Sequence, residues 1–191
     1  MSGFRVVLDA CVLVPIVKSD LLLTLATRHA FCPLWSERIL DEVSRAVVKV
    51  NPRMTDERIA RRVDGMNTAF EDACVVGWEP LEQGVTGLPD AADRHVVAAA
   101  VRGNAEAIVT DNLKHFPAEV LSQWGLHAMS SDDFLLDVLD LNPSVMLSSL
   151  IEMAGRRKNP PVAVDEIVVA LGMANASRFA REVEAILVED M

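Results

Sequence analysis

Three carboxylates stand where a strand end or a turn would deliver them to a crevice. Asp9 closes the apolar run Val6-Val7-Leu8, Asp93 lies in Leu88-Pro-Asp-Ala-Ala-Asp-Arg-His, and Asp111 follows Ile108-Val-Thr. An unbroken apolar run reads as a parallel strand buried on both faces, and open α/β sheets bind ligands beyond the carboxyl ends of their strands. No histidine–cysteine cluster accompanies these acids. Convergent carboxylates without soft ligands suit Mg²⁺ or Mn²⁺, and such ions serve chemistry on phosphate.

Each acid also has a plainer explanation. Asp90 followed three residues later by Asp93 has the spacing of a capping box, in which the cap oxygen accepts helix-start N–H groups. Glu42 stands at helical spacing from Arg38 and Arg45 and is able to pair with either on a surface. Asp9 is the hardest to explain away, because a charge at the end of a buried strand needs a partner or a metal. His95 and His115 flank acidic blocks and read as helix or loop residues near the site.

The elements that must position these residues alternate. A strand over 5–8 is followed by a loop holding Pro15 and an apolar helix over about 20–29. Helices over 37–50 and 56–70 start at Ser36 and Thr55 as caps. A short strand begins at Cys74, a loop covers 84–89, and Asp90 opens a helix to about 102. Strands over 107–110 and 126–129 follow. This βα alternation predicts an α/β fold with a parallel sheet and right-handed crossovers. Beyond about Ser130 only helices are predicted, one capped around 131–133, one starting at Asn142-Pro143, and a last pattern over 165–188 broken near Gly172 and Asn175.

With 51% hydrophobic residues the chain has material for a core. No apolar run approaches the roughly 20 residues that span a bilayer, no secretory leader is visible, and a cytoplasmic location is expected. Cys11, Cys32 and Cys74 lack metal-ligand spacing and read as reduced core thiols. The net charge of −10 excludes indiscriminate coating of nucleic acid. The charge is segregated, with six basic against two acidic residues over 45–62, then seven acidic and no basic ones over 63–93. An acidic pocket beside a basic helical face would suit a metal and a polyanion, and two solvated helix faces would look the same.

Taken together, VVLDACVLVP, WSERILDEV, LPDAADRHVVAAAV and IVTDNLKHFP resemble a PIN domain of the VapC-type toxin branch, in the right order over about residues 4–131. The resemblance implies a three-layer α/β fold with a central parallel sheet, here as residues 1–130, with 131–191 as a C-terminal α-helical extension. It implies a metal-dependent endoribonuclease acting on single-stranded RNA, using Mg²⁺ or Mn²⁺, commonly a homodimer and silenced by a small cognate antitoxin. Residue by residue, Asp9, Glu42 and Asp93 match the family's first three acids, and Asp90 an additional acid of this branch. The fourth acid usually stands two residues after the threonine. That position is Asn112 here, while Asp111 directly follows Thr110, so the catalytic set is Asp9, Glu42, Asp93 and Asp111, with either Asp111 or Asn112 as the fourth ligand. Arg58, Arg61, Arg62 and Thr110 are candidates for holding RNA.

A dehalogenase-type phosphatase would want a second aspartate where Cys11 stands, and a receiver domain would want paired acids after the first strand. Two alternatives within the fold are a catalytically impaired RNA- or protein-binding module and an RNA-processing nuclease without antitoxin. The homodimer is expected to use apolar helix faces around 21–25 and 43–47. The helical extension is expected to pack on its own domain and to take no part in catalysis.

Overall fold

Four short strands, all parallel, form the sheet: β1 (Arg5–Leu8), β2 (Cys32–Leu34), β3 (Ala107–Val109) and β4 (His127–Met129), in the order β2-β1-β3-β4. The computed structural model describes residues 3–189. β1 and β3 occupy the centre, and Val6, Val7, Leu8, Ile108 and Val109 are wholly buried, as their unbroken apolar character requires. Leu8 stands opposite Val109, so Asp9 and Thr110 leave the sheet side by side at its carboxyl edge. The Asp9 N–H donates to the Val109 carbonyl at 3.1 Å, fixing that adjacency.

The helices are α1 (Ala10–Leu13), α2 (Ile16–Thr27), α3 (Glu37–Val50), α4 (Asp56–Ala69), α5 (Glu79–Glu82), α6 (Arg94–Arg102) and α7 (Ala118–Leu121), followed by α8 (Ser131–Leu141), α9 (Pro143–Arg156), α10 (Val164–Met173) and α11 (Ser177–Glu189). Ser36 caps α3 as its sequence suggests, its Oγ accepting the Ile39 N–H at 3.3 Å. Thr55 stands at the start of α4, but its side chain makes no cap bond. The run 96–100 of α6 is buried throughout, and its alanines let the helix close on β1 and β3. Gly103 ends α6 where a Cβ would lie 2.9 Å from the side chains of both Leu34 and Val75.

Local expectations are corrected in several places. The strand at Cys74 is a single parallel bridge to Trp35, because Gly77 at φ +71° turns the chain away from the sheet edge. Asp90 caps a 3₁₀ turn, Ala91–Asp93, rather than α6 itself, which begins at Arg94. Ser130, one residue earlier than expected, caps α8 by accepting the Asp133 N–H at 3.0 Å. The apolar residues expected to pair two copies are used internally: Leu21, Leu22, Leu25, Val43 and Val47 are all buried in the chain.

The four last helices close on the sheet domain. α9 packs on α2, α10 on α9 and α2, and α11 on α8 and α10. Phe134 of α8 meets Phe31 edge to face at 4.9 Å, and the buried apolar residues from Val6 to Val183 form one continuous core. Asp132 reaches over to accept the N–H groups of Arg178 and Phe179 at 3.1 and 2.8 Å, capping α11 from outside. Polar links add to the seam: Arg156 and Arg157 both pair with Asp20, at 2.7 and 2.9 Å. Among the described residues no single helix is long and apolar enough to cross a membrane; α8 and α9 reach that length and composition only together, bent by 115°.

Candidate metal centre

Asp9 is the N-cap of α1, so its carboxylate is oriented by the local backbone before any tertiary contact. Its Oδ1 accepts the Ala10 N–H at 2.7 Å. Its Oδ2 accepts the Thr110 hydroxyl at 2.6 Å and the Cys11 thiol at 3.1 Å. The residue is only 7% exposed, and no cation contacts it among the described residues. Thr110, expected near RNA, is wholly buried and spends its hydroxyl on Asp9. Cys11 lines the same crevice, its thiol pushed up to about 12 chiefly by burial and then by the charge of Asp9.

Asp93 enters from the turn before α6. Its Oδ2 accepts the His115 Nδ1–H at 2.7 Å. Burial raises its pKa above the ordinary carboxylate value; the bond and charge of His115 oppose the rise, and the charges of Asp9 and Asp90 add to it. Asp93 is therefore close enough to both Asp9 and Asp90 to be repelled by each. Asp90, Asp93 and His115 each offer one ligand atom within 4.8 Å of the others. Glu42, on α3, approaches α6, with Oε1 3.0 Å from His95 Nε2. That approach is too poorly aligned to be a hydrogen bond, and among the described residues both ring nitrogens of the wholly buried His95 lack a bonding partner.

Asp111 turns the opposite way. Its Oδ2 receives Lys18 Nζ at 2.5 Å and Asn175 Nδ2 at 3.3 Å, and its Oδ1 receives the Ser131 hydroxyl at 2.6 Å. Asn112 is exposed, with its N–H donated to Thr110 Oγ1 at 3.1 Å and its side-chain oxygen unengaged among the described residues. Of the arginines, Arg58 and Arg61 are exposed on α4. Arg62 folds inward to donate to the Leu13 carbonyl, and burial lowers its pKa. The structure thus brings Asp9, Asp90, Asp93 and Thr110 together, sets Glu42 against the helix that Asp93 precedes, and gives Asp111 a separate set of partners. Sequence reading missed Lys18, Ser131 and Asn175. Only Lys18 carried a signal, as the lone cation within an apolar helix.

A parallel α/β sheet here sets a buried strand-end acid, Asp9, beside the half-buried Asp93 and the exposed Asp90. The chain belongs to the PIN domain family, whose profile matches residues 5–114. A second profile, the VapC50 C-terminal domain, matches residues 131–185. A protein of Mycobacterium tuberculosis (strain ATCC 25618 / H37Rv) named "Putative ribonuclease VapC50" is 46% identical over 80 residues, which is 42% of this chain and 47% of that protein. The chain thus spans about half the length of this curated relative. No solved structure matches the chain.

Proposed function

We propose that the chain is a VapC-type endoribonuclease, cleaving phosphodiester bonds in single-stranded RNA with Mg²⁺ or Mn²⁺. The observation that carries this reading is the charge imbalance at the strand ends. Asp9 is buried with neutral donors only, and it faces Asp93, whose own pKa it helps to raise. Asp9 has no cation against it among the described residues, and His115 offsets only Asp93; carboxylate and carbonyl oxygens of this kind fit a hard divalent ion. Asp9, Asp93 and Glu42 would hold the ion. The oxygens of Asp111 are committed elsewhere, which favours the carbonyl of Asn112 as the fourth ligand. When bound, a divalent ion supplies an activated water and neutralises charge on the leaving oxygen.

The chain's own residues prepare that chemistry. Thr110, Cys11 and the Ala10 N–H fix both oxygens of Asp9, and His115 orients Asp93, so the acids need no rearrangement on loading. Arg58 and Arg61 would contact phosphates from the exposed face of α4, while Thr110 and Arg62 have structural partners that favour positioning roles for them. A small antitoxin is proposed as the silencing partner. A homodimer would need surface other than the buried faces at 21–25 and 43–47; exposed Val48 and Val50 at the end of α3 offer one. Residues 131–191 are best treated as an extension that shares the core of 1–130.

The test is cleavage of single-stranded RNA by the full chain with Mg²⁺ or Mn²⁺, with and without chelator. Chelation, Asp9→Asn and Asp93→Asn should each remove nearly all cleavage while circular dichroism stays unchanged. Wild-type rates in both variants would overturn the assignment.

A further inference from the structure

The C-terminal helices do more than cover the sheet domain, because they grip one of its strand-end acids. Ser131, wholly buried at the start of α8, is not the residue that caps that helix; Ser130 is. Ser131 instead turns its hydroxyl to Asp111 Oδ1 at 2.6 Å. Asn175, in the bend between α10 and α11, takes the left-handed conformation at φ +67° and donates Nδ2 to Asp111 Oδ2 at 3.3 Å. The wholly buried Lys18 shares Oδ2 with Asn175 and supplies the cation.

From Asp111 the contact continues to the first acid. The Asp111 N–H donates to Cys11 Sγ at 3.2 Å. That sulfur lies 3.1 Å from Asp9 Oδ2 and 3.4 Å from Thr110 Oγ1, and the same hydroxyl donates to Asp9 Oδ2. One unbroken set of bonds therefore runs from the helical extension through Asp111, Cys11 and Thr110 to Asp9. Asp111, unlike Asp9, has its charge matched by a buried cation, Lys18, so it is poorly placed to serve as a ligand. It is well placed to transmit position.

We propose that Asp111 is a positioning residue, through which Ser131 and Asn175 of the C-terminal helices set the geometry of Asp9 for the metal. This rests on the metal-site reading given above. Partners bonded to a metal ligand itself typically change metal affinity by about 10–100-fold when removed. Ser131 and Asn175 reach Asp9 only through Asp111 and Cys11, which puts their effect at the lower end. Ligands must be held within about 0.5 Å to work.

The experiment uses the full chain with Cys32→Ala and Cys74→Ala, which leaves Cys11 as its one thiol. Ser131→Ala and Asn175→Gly are compared with this background, glycine being chosen because it keeps the positive φ at no steric cost. Two quantities are read: Mn²⁺ affinity by calorimetry, and the rate of Cys11 alkylation without metal. Each variant is expected to bind Mn²⁺ about tenfold more weakly and to alkylate faster, and Ser131→Thr is expected to restore both. Unchanged affinity together with unchanged alkylation in folded variants would overturn the proposal. So would loss of Mn²⁺ binding in Asp111→Asn with Ser131→Ala and Asn175→Gly at background values, since that marks a ligand. Asn175 is exposed, so its variant carries the test even where Ser131→Ala fails to fold. If the wild-type chain cleaves no RNA, the nuclease reading falls, while the alkylation rates still decide the coupling.

Discussion

Lys18→Met is the perturbation whose size the structure defines best. Lys18 is wholly buried, and its Nζ lies 2.5 Å from Asp111 Oδ2, whose side chain is 11% exposed. At an effective dielectric constant near 20, two unit charges so close attract by about 7 kcal/mol. Desolvating them costs several kcal/mol per ion, so the pair as a whole is worth little. Removing one partner is different, because the desolvation of the other remains uncompensated, at about 3–5 kcal/mol. Ser131 and Asn175 still donate to Asp111 in this variant, which puts the loss near the lower end, about 3 kcal/mol. Methionine preserves most of the volume of the lysine stem, so little of this loss is packing. For a chain of this size, about 3 kcal/mol corresponds to a fall in Tm of about 6–12 °C. Asp111→Asn leaves Lys18 without its one ion-pair partner among the described residues and should cost at least as much. The double variant should recover most of the sum. Urea unfolding of the four proteins gives the coupling energy, expected at about 2 kcal/mol or more; additivity within about 0.5 kcal/mol would refute a buried, coupled pair.

Asp93→Asn should stabilise the metal-free protein at neutral pH. The pKa of Asp93 is raised by burial and by Asp9 and Asp90. A carboxylate raised on folding contributes stability below its unfolded pKa of about 3.9 and loses it as pH rises through the folded value. The variant's Tm advantage should therefore be present at pH 7 and shrink toward pH 4, with the Mn²⁺-induced rise in Tm abolished; a lower metal-free Tm at pH 7 would contradict the charge argument. Phe179→Ala, at a wholly buried site in α11, should cost about 3–5 kcal/mol. Because the core is continuous, the whole chain should unfold in one transition by calorimetry, and two separate transitions would refute a shared core.

The elements with strong local signals were legible in the sequence. β1 and β3 could be read from unbroken apolar runs, and α3 from Ser36 with the helical spacing behind it. β2 escaped notice because Cys32–Leu34 is three residues long and contains a proline, and α1 because a four-residue helix has no periodicity to detect. At the site, Asp9 was readable because a strand end leaves a charge little choice. Asp111 was not, since its role is set by residues 93 positions before it and 20 and 64 after it. No local pattern encodes the partners of a buried ion pair, and the helical tail gave no sign that two of its polar side chains reach Asp111.

Asp9 and Asp111 follow adjacent strands, yet the fold treats them oppositely. Asp111 receives a lysine, a hydroxyl and an amide. Asp9, at 7% exposure, receives a hydroxyl, a thiol and a backbone N–H, none of them charged. Lys18 is the only buried lysine among the described residues, and it is spent on Asp111 rather than Asp9. The neighbours of Asp9 in charge are Asp93 and, through it, Asp90, which makes the deficit worse. Exposed Arg58 and Arg61 are free to meet phosphate but supply no buried cation. A folded chain tolerates such a deficit only at a cost in stability, and functional sites are where such costs are kept. The acid that the protein has oriented with neutral donors, and left without a cation of its own, is the one whose charge a divalent ion would complete.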